Sequence, residues 1–416
     1  ADHGDMSLLP THRHLLLFSG LSTLLVLIAA CSASSPTGEG DAARGDGDGD
    51  AGPVGTSTGS ELDDGSLGVD PGSGTTGDLA SGDTPKPSDD TANGYGGAGG
   101  QSSQGVPARA PTPQGQQPPA GQLTAGIYDD NLSFDFFKKY HDASLGRIAE
   151  GRLPFTWNDH TSAQARAADA YGARVALDVA VVFDTTGSMG DELSYLKDEF
   201  AGITETVSAL YPNVVQRWSL VLYRDQGDEY VTRSQDFTAD LQDFQSFLDE
   251  QSYDGGGDFP EAPEAGLAEA SALSWSGDDD AAQIMFWVAD APHHNEKAQA
   301  LASAISQAQD QNIHIYPVAS SGIDALTEFT MRQSAQLTWG RYLFLTDDSG
   351  LGSGHKEPTL PCYYVSTLRD AIVRSVQSEM SGGRVEIEDQ AIVRFSGQLN
   401  VEGNCFFGDG YEAAPF

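Results

Sequence analysis

Apolar positions fall into two alternating patterns from residue 175 onward. Residues 179–183, VAVVF, form a continuous apolar run, as expected of a central strand buried on both faces. Leu193, Leu196, Phe200, Ile203, Val207 and Leu210 then recur at three- and four-residue steps, which marks one helix face packing on a sheet. The same alternation continues downstream. Strands are predicted at 218–223, 284–289, 313–318 and 341–345, with an antiparallel return at 230–232. Helices are predicted at 241–248, 262–273 and 298–309. Leu368, Ile372, Val376 and Met380 mark a closing helix, stopped by Gly382 and Gly383. Alternating strands and helices predict an α/β fold: an open, doubly wound, mostly parallel sheet with helices on both faces. Residues 384–396 alternate in part, through Val385, Ile387, Ile392 and Val393, and suggest a small β-rich appendage over 383–416.

Upstream the pattern disappears. Residues 32–120 are Gly, Ser, Thr, Pro and Asp with almost no large apolar side chains. Such a segment buries too little surface to offset its ordering entropy, so it is expected to be a disordered tether. A flexible chain of that length spans roughly 50 Å. Between tether and core, the segment 122–175 carries Phe134, Phe136, Phe137 and Tyr140, which need burial and are expected to dock on the core at 176–382.

The first thirty residues read as a targeting segment. Arg13 precedes the apolar run LLLFSGLSTLLVLIAAC, which is short for a membrane span and ends in small residues. The residues Ile28, Ala29, Ala30 and Cys31 resemble the lipobox of bacterial lipoproteins. That resemblance implies cleavage of 1–30, lipidation of Cys31, a membrane anchor at the start of 31–121, and a place in the cell envelope. Ser32 after the cysteine implies the outer membrane, facing either the periplasm or the outside. Two cysteines remain, Cys362 and Cys405; in an exported protein they either form a disulfide or leave Cys362 as a buried thiol.

The net charge is −39 over 416 residues, with 13 acids against 3 bases in 32–120. A surface this acidic argues against nucleic acid or anionic lipid as a partner.

The candidate chemistry lies in LDVAVVFDTTGSMGDEL, residues 177–193. An apolar strand runs into Asp184, then Thr186 and Ser188, then a helix start. All three are oxygen ligands of the kind Mg²⁺ and Mn²⁺ prefer, with Ca²⁺ also possible. Two further segments bring oxygen ligands to strand ends: GGGDFPEA with Asp258, and FWVADAPHH, where Asp290 ends a buried strand. Ligands in open α/β sheets gather at those ends. Asp225 and Asp228, in YRDQGDE, lie on the same rim as a solvated turn or a second cation site. His293, His294 and His355 lack zinc-ligand spacing and are expected to cap or pack.

The D-x-T-x-S spacing resembles the metal-ion-dependent adhesion site of von Willebrand factor type A domains, over about residues 176–382. The resemblance implies that Thr186 and Ser188 bind the metal directly while Asp184 and Asp290 hold it through water. The second loop of the family usually supplies a Thr; here it offers Asp258. That extra carboxylate would strengthen cation binding and make the metal less electrophilic toward an acidic ligand. The resemblance further implies a non-enzymatic, metal-dependent binding module, in which a carboxylate from a protein partner completes the coordination. Two alternatives stand beside it. One is a metal-stabilised structural component of the envelope. The other is a metal-dependent hydrolase with His293 or His294 as base, for which neither a nucleophile elbow nor a P-loop is present.

Overall fold

Residue 124 begins a strand where the sequence pattern predicts only a docking segment. The computed structural model describes residues 120–167, 174–277, 280–351, 354–401, 403–406, 412–413 and 415. The expected signal, lipidated Cys31 and most of the tether lie outside them. In chain order the elements are β1 (Thr124–Tyr128), α1 (Phe134–Arg147), α2 (Trp157–Ala167), β2 (Ala176–Asp184), α3 (Gly190–Leu210), β3 (Val215–Tyr223), β4 (Thr232–Thr238), α4 (Leu241–Asp249), α5 (Pro263–Ser271), β5 (Ala281–Ala289), α6 (Ala298–Asp310), β6 (His314–Ala319), α7 (Ala325–Leu337), β7 (Tyr342–Thr346), β8 (Cys362–Thr367), α8 (Leu368–Ser381), β9 (Arg394–Gly397), β10 (Cys405–Phe406) and β11 (Glu412–Ala413).

Nine strands form one sheet in the order β4-β3-β2-β5-β6-β7-β1-β8-β9. The five from β3 to β7 run parallel. The pairings β3–β4, β7–β1, β1–β8 and β8–β9 are antiparallel. This is the expected α/β sheet, extended on one side by β1 from the N-terminal segment and by β9 from the C-terminal one. The sequence alone places both segments outside the sheet. TAGIY is short and holds a glycine, a weak strand signal on its own; Gly126 is required because a side chain there would meet the Phe344 ring on β7.

Successive residues of β2 point to opposite faces. Val179, Val181 and Phe183 pack with Leu193, Leu196, Phe200 and Ile203 of α3 and with Ile372 and Val376 of α8. Ala180 and Val182 pack toward Leu267 of α5 and toward Leu301 and Ile305 of α6. Both faces of the central strand are therefore covered, as its unbroken apolar run requires. The chain leaves β2 for β3 on one side and returns to β5 on the other. Strand order thus reverses between β2 and β5.

Helix α7 does not follow the amphipathic rule. Its sequence, ALTEFTMRQSAQL, is largely polar, yet every residue from Leu326 to Leu337 is buried. The reason lies in Asp129, Asp130 and Asn131, just past β1. Arg332 is fully buried and forms a two-pronged ion pair with Asp130, at 2.9 and 2.5 Å. Its guanidinium also stacks 3.6 Å from the centre of the Tyr140 ring. Arg341, ahead of β7, pairs with Asp129 at 3.0 Å. Gln336 donates to Asn131 Oδ1 at 3.1 Å. His160 on α2 joins the network through Nδ1, 2.5 Å from Gln336 Oε1, and through Nε2, 3.2 Å from Gln333 Nε2. Those two bonds suit a neutral ring that donates from Nδ1 and accepts at Nε2. The N-terminal segment therefore does what an apolar helix face does elsewhere: it gives α7 partners for its buried polar groups.

A disulfide joins Cys362 on β8 to Cys405 on β10, with Cα atoms 5.4 Å apart. The long stretch between β7 and β8 is pinned by Arg394 of β9, which takes Asp348 at 2.8 Å and Glu357 at 2.5 Å. Among the described residues, no helix is long and apolar enough to cross a membrane.

The buried network makes two outcomes measurable. Asp130→Ala removes the two-pronged partner of the buried Arg332 guanidinium and leaves it Glu328, at 3.5 Å, so it should cost about 3 kcal/mol in urea unfolding of the full chain. Burial also lowers the His160 pKa from 6.5 to about 4. The unfolded chain therefore takes up this proton first as pH falls. The stability contributed by neutral His160 is complete above pH 6.5 and declines toward pH 4, by about 3 kcal/mol. His160→Gln should flatten that part of the stability–pH curve.

Candidate metal centre

Three loops meet where strand order reverses. The first leaves β2 at Asp184, which is fully buried. Its Oδ1 accepts from the Thr186 amide at 3.0 Å and from Thr186 Oγ1 at 2.6 Å. Thr186 Oγ1 lies 3.5 Å from Ser188 Oγ, which is exposed to solvent. The turn is held from β3: Thr185 donates its amide and its hydroxyl to Tyr223 O, at 3.0 and 3.1 Å. Asp184, Thr186 and Ser188 thus stand in one group, with the hydroxyls ahead of the helix start of α3. Asp184 Oδ2 is buried and accepts no hydrogen bond.

The second loop, 254–261, lies against the first. The Asp254 amide donates to Thr185 O at 3.1 Å, and the Gly187 amide to Gly255 O at 3.2 Å. Gly256 has φ +74°, and a side chain there would strike Glu261 Oε1 and the Thr186 Cβ. Close approach to the first loop requires glycine at this point. Asp258 is exposed on this loop. The acid that turns inward is Glu261, 2 % exposed, whose Oε2 accepts no hydrogen bond. Its amide donates to Pro292 O at 2.8 Å, tying it to the loop after β5.

The third loop follows β5 and begins with Asp290, 5 % exposed. Its charge acts on Asp184: burial first, and the Asp290 carboxylate second, push the Asp184 pKa up to about 7. Burial, then Asp184, Asp225, Asp228 and Asp290, push Glu261 up to about 9. A fourth contribution comes from the turn after β3. Asp228 accepts from the amides of Asp225 and Gly256, both at 3.1 Å.

Residue by residue, the structure brings Asp184, Thr186 and Ser188 together and sets Asp290 close enough to act on them. Asp258 stands with Asp225 and His294, one ligand atom of each within 4.8 Å of the others. Glu261 is the functional candidate that sequence reasoning passed over. It lies in the quoted GGGDFPEA segment, next to a helix start with Pro263 at its first turn, a context that also suits a simple capping acid. The three histidines do not meet. His293 Nε2 is 2.7 Å from Gly151 O, His294 Nε2 is 2.9 Å from Asp225, and His355 Nδ1 is 2.8 Å from Asp347.

An all-oxygen set of two hydroxyls and surrounding carboxylates fits a hard divalent cation. The unpartnered Asp184 Oδ2 fits it too. A buried carboxylate oxygen without a donor is costly, and more so beside other acids. A cation supplies the missing positive charge.

Comparisons with known proteins bear on the same region. The chain is similar over 124 residues, at 35 % identity, to the putative ariadne-like RING finger protein R811 of Acanthamoeba polyphaga mimivirus. That match covers 30 % of this chain and 12 % of the viral protein, so the chain spans about an eighth of that relative's length. Among solved structures it is similar to the pilus adhesin SpaC of Lactobacillus rhamnosus GG in its open conformation, at 14 % identity and a TM-score of 0.30, covering 40 % of this chain and 28 % of that one. It is also similar to the conserved hypothetical protein BatB of Bacteroides thetaiotaomicron, at 13 % identity and a TM-score of 0.33, covering 49 % of this chain and 98 % of that one. Residues 178–350, from the start of β2 through β7, match the family model of the von Willebrand factor A domain.

Proposed function

We propose that this chain is a lipid-anchored, metal-dependent protein-binding module of the cell envelope. The observation that carries the reading is Asp184 Oδ2, buried without a donor beside the Thr186 and Ser188 hydroxyls. Mg²⁺ or Mn²⁺ would be held by those hydroxyls directly, with Asp184 and Asp290 acting through water. Glu261 joins this set from the second loop. Asp258, also on that loop, would reach the same ion only from its exposed position, and contributes surface charge toward it. The bound cation supplies a Lewis-acidic position at the protein surface. The exposed Ser188 leaves that face open, and a carboxylate of a partner protein would complete the coordination. Cleavage before Cys31 and lipidation of that residue would hold the module at the outer membrane on its acidic tether.

The match of residues 178–350 to a von Willebrand factor A domain supports a binding rather than a catalytic role. The distribution of charge supports it further. Several carboxylates crowd one rim, which favours a cation and, once the cation is bound, leaves a metal-centred contact instead of a bare acidic surface.

Thermal melting of the full chain tests the metal. A ligand that binds only the folded state adds RT ln(1 + [L]/Kd), about 2.7 kcal/mol at a hundredfold excess over Kd. Wild type should melt higher in millimolar Mg²⁺ or Mn²⁺ than in EDTA, and Asp184→Asn should show no such rise. A second sign distinguishes this site from a structural carboxylate. The Asp184 pKa is raised from 3.8 to about 7 in the fold, so stability without metal falls as pH rises through that window. In EDTA at pH 8, Asp184→Asn should therefore melt no lower than wild type. Equal melting of wild type with and without metal would remove the proposal. The partner is tested separately: immobilised chain should retain an acidic protein in Mg²⁺ and release it in EDTA.

A further inference from the structure

The pair of Asp225 and His294 has no role in the site just described. Asp225 follows β3, Asp258 sits on the glycine loop before α5, and His294 lies in the loop after β5. Three separate segments thus deliver one carboxylate, a second carboxylate and an imidazole to a single point, with a ligand atom of each within 4.8 Å of the others. Asp225 is 7 % exposed, His294 is half-buried and Asp258 is open to solvent. The group is therefore anchored on one side and accessible on the other, as a site with an entry path must be.

The backbone at each end of the group is fixed independently. The Asp225 amide donates to Asp228 Oδ2 at 3.1 Å. The His294 carbonyl accepts from the Lys297 amide at 2.8 Å, starting the turn before α6. Nearby cations are committed elsewhere. Arg224 donates to Ser252 O at 2.8 Å and stacks 4.5 Å from the Tyr230 ring centre. Lys297 approaches Glu264 at 4.0 Å.

A second observation points into the same place. Glu261 is only 2 % exposed, and its Oε2 has no donor. The charges acting on it are those of Asp184, Asp225, Asp228 and Asp290. Asp184 and Asp225, one from each group, thus both act on this carboxylate, one oxygen of which has no donor.

We propose that Asp225, Asp258 and His294 form a second cation site, adjacent to the Asp184 site, that takes a first-row transition ion. The imidazole decides the class of ion. Mg²⁺ and Ca²⁺ favour all-oxygen sets, whereas mixed imidazole–carboxylate sets suit Zn²⁺, Co²⁺ and related ions. Glu261 stays with the Asp184 set and is not one of the three ligands. The two sites differ in hardness: oxygen-only at Asp184, and nitrogen with oxygen at His294.

Cobalt titration of the metal-stripped full chain, in saturating Mg²⁺, tests this through the visible d–d absorption of bound Co²⁺. Wild type should bind Co²⁺ saturably and release it to Zn²⁺. His294→Ala should lose that band while keeping the Mg²⁺-dependent rise in melting temperature, which shows that the variant is folded. Asp184→Asn should keep the band and lose the Mg²⁺ rise. Absence of a saturable band in wild type, or a His294→Ala titration that matches wild type, would overturn the second site. Because the Mg²⁺ effect is read separately, either site can fail without the other. Any contribution from the Cys31 thiol is common to all the chains and cancels in the comparison.

Discussion

A carboxylate at the end of a strand buried on both faces cannot be solvated by its own surroundings. Asp184 is in that position. One oxygen is held by the Thr186 amide and hydroxyl; the other is buried with no donor at hydrogen-bonding geometry, the Tyr223 side chain lies near the carboxylate, and the Asp290 charge acts on it. Burying like charges together raises their pKa values, as at Asp184 and Glu261, and leaves the fold with two remedies: protons or a cation. The surrounding loops are arranged around that choice. Gly256 lets the second loop close on the first, Thr185 anchors the turn to β3, and Glu261 is tied by its amide to the loop after β5. The result is a rim at the carboxyl ends of β2, β3 and β5, at the reversal of strand order, where open α/β sheets place their ligands.

The opposite side of the sheet uses charge differently. Arg332 and Arg341 are buried, but each has an aspartate from the residues after β1 within hydrogen-bonding distance. Breaking such a pair is costly even where forming it adds little net stability. The N-terminal segment is thereby bound to α7 by specific polar contacts, and it supplies a strand between β7 and β8 as well. Paired charges fasten the scaffold on that side. At the rim, where the cation is proposed to bind, Asp184 Oδ2 and Glu261 Oε2 accept no hydrogen bond.

Central strands and amphipathic helices were legible because they follow simple periods. The apolar run 179–183 appears as β2, the face from Leu193 to Val207 appears on α3, and Asp184 and Asp290 lie where those patterns placed strand ends. Other elements lacked such a period. Helix α7 is polar because its partners are polar, so its sequence carries no stripe; only the run Asp129, Asp130 and Asn131, matched against Arg332, Gln336 and Arg341, would have hinted at it. Strand β8 follows a long loop and is completed by β1 and β9, neighbours drawn from both ends of the domain. Within the site, Asp184, Thr186 and Ser188 could be read from local spacing. Glu261 could not be separated from Asp258 in that way. Which of two acids three residues apart turns inward depends on the glycines at 255 and 256 and on the backbone bond to Pro292.

The most direct test of the account is anomalous diffraction from crystals of the full chain grown with Mn²⁺. A manganese peak bonded to Thr186 Oγ1 and Ser188 Oγ, at about 2.0–2.2 Å, is expected, with Asp184 Oδ2 turned toward it. Density showing Asp184 Oδ2 satisfied by a protein donor, with no anomalous peak beside the two hydroxyls, would contradict it.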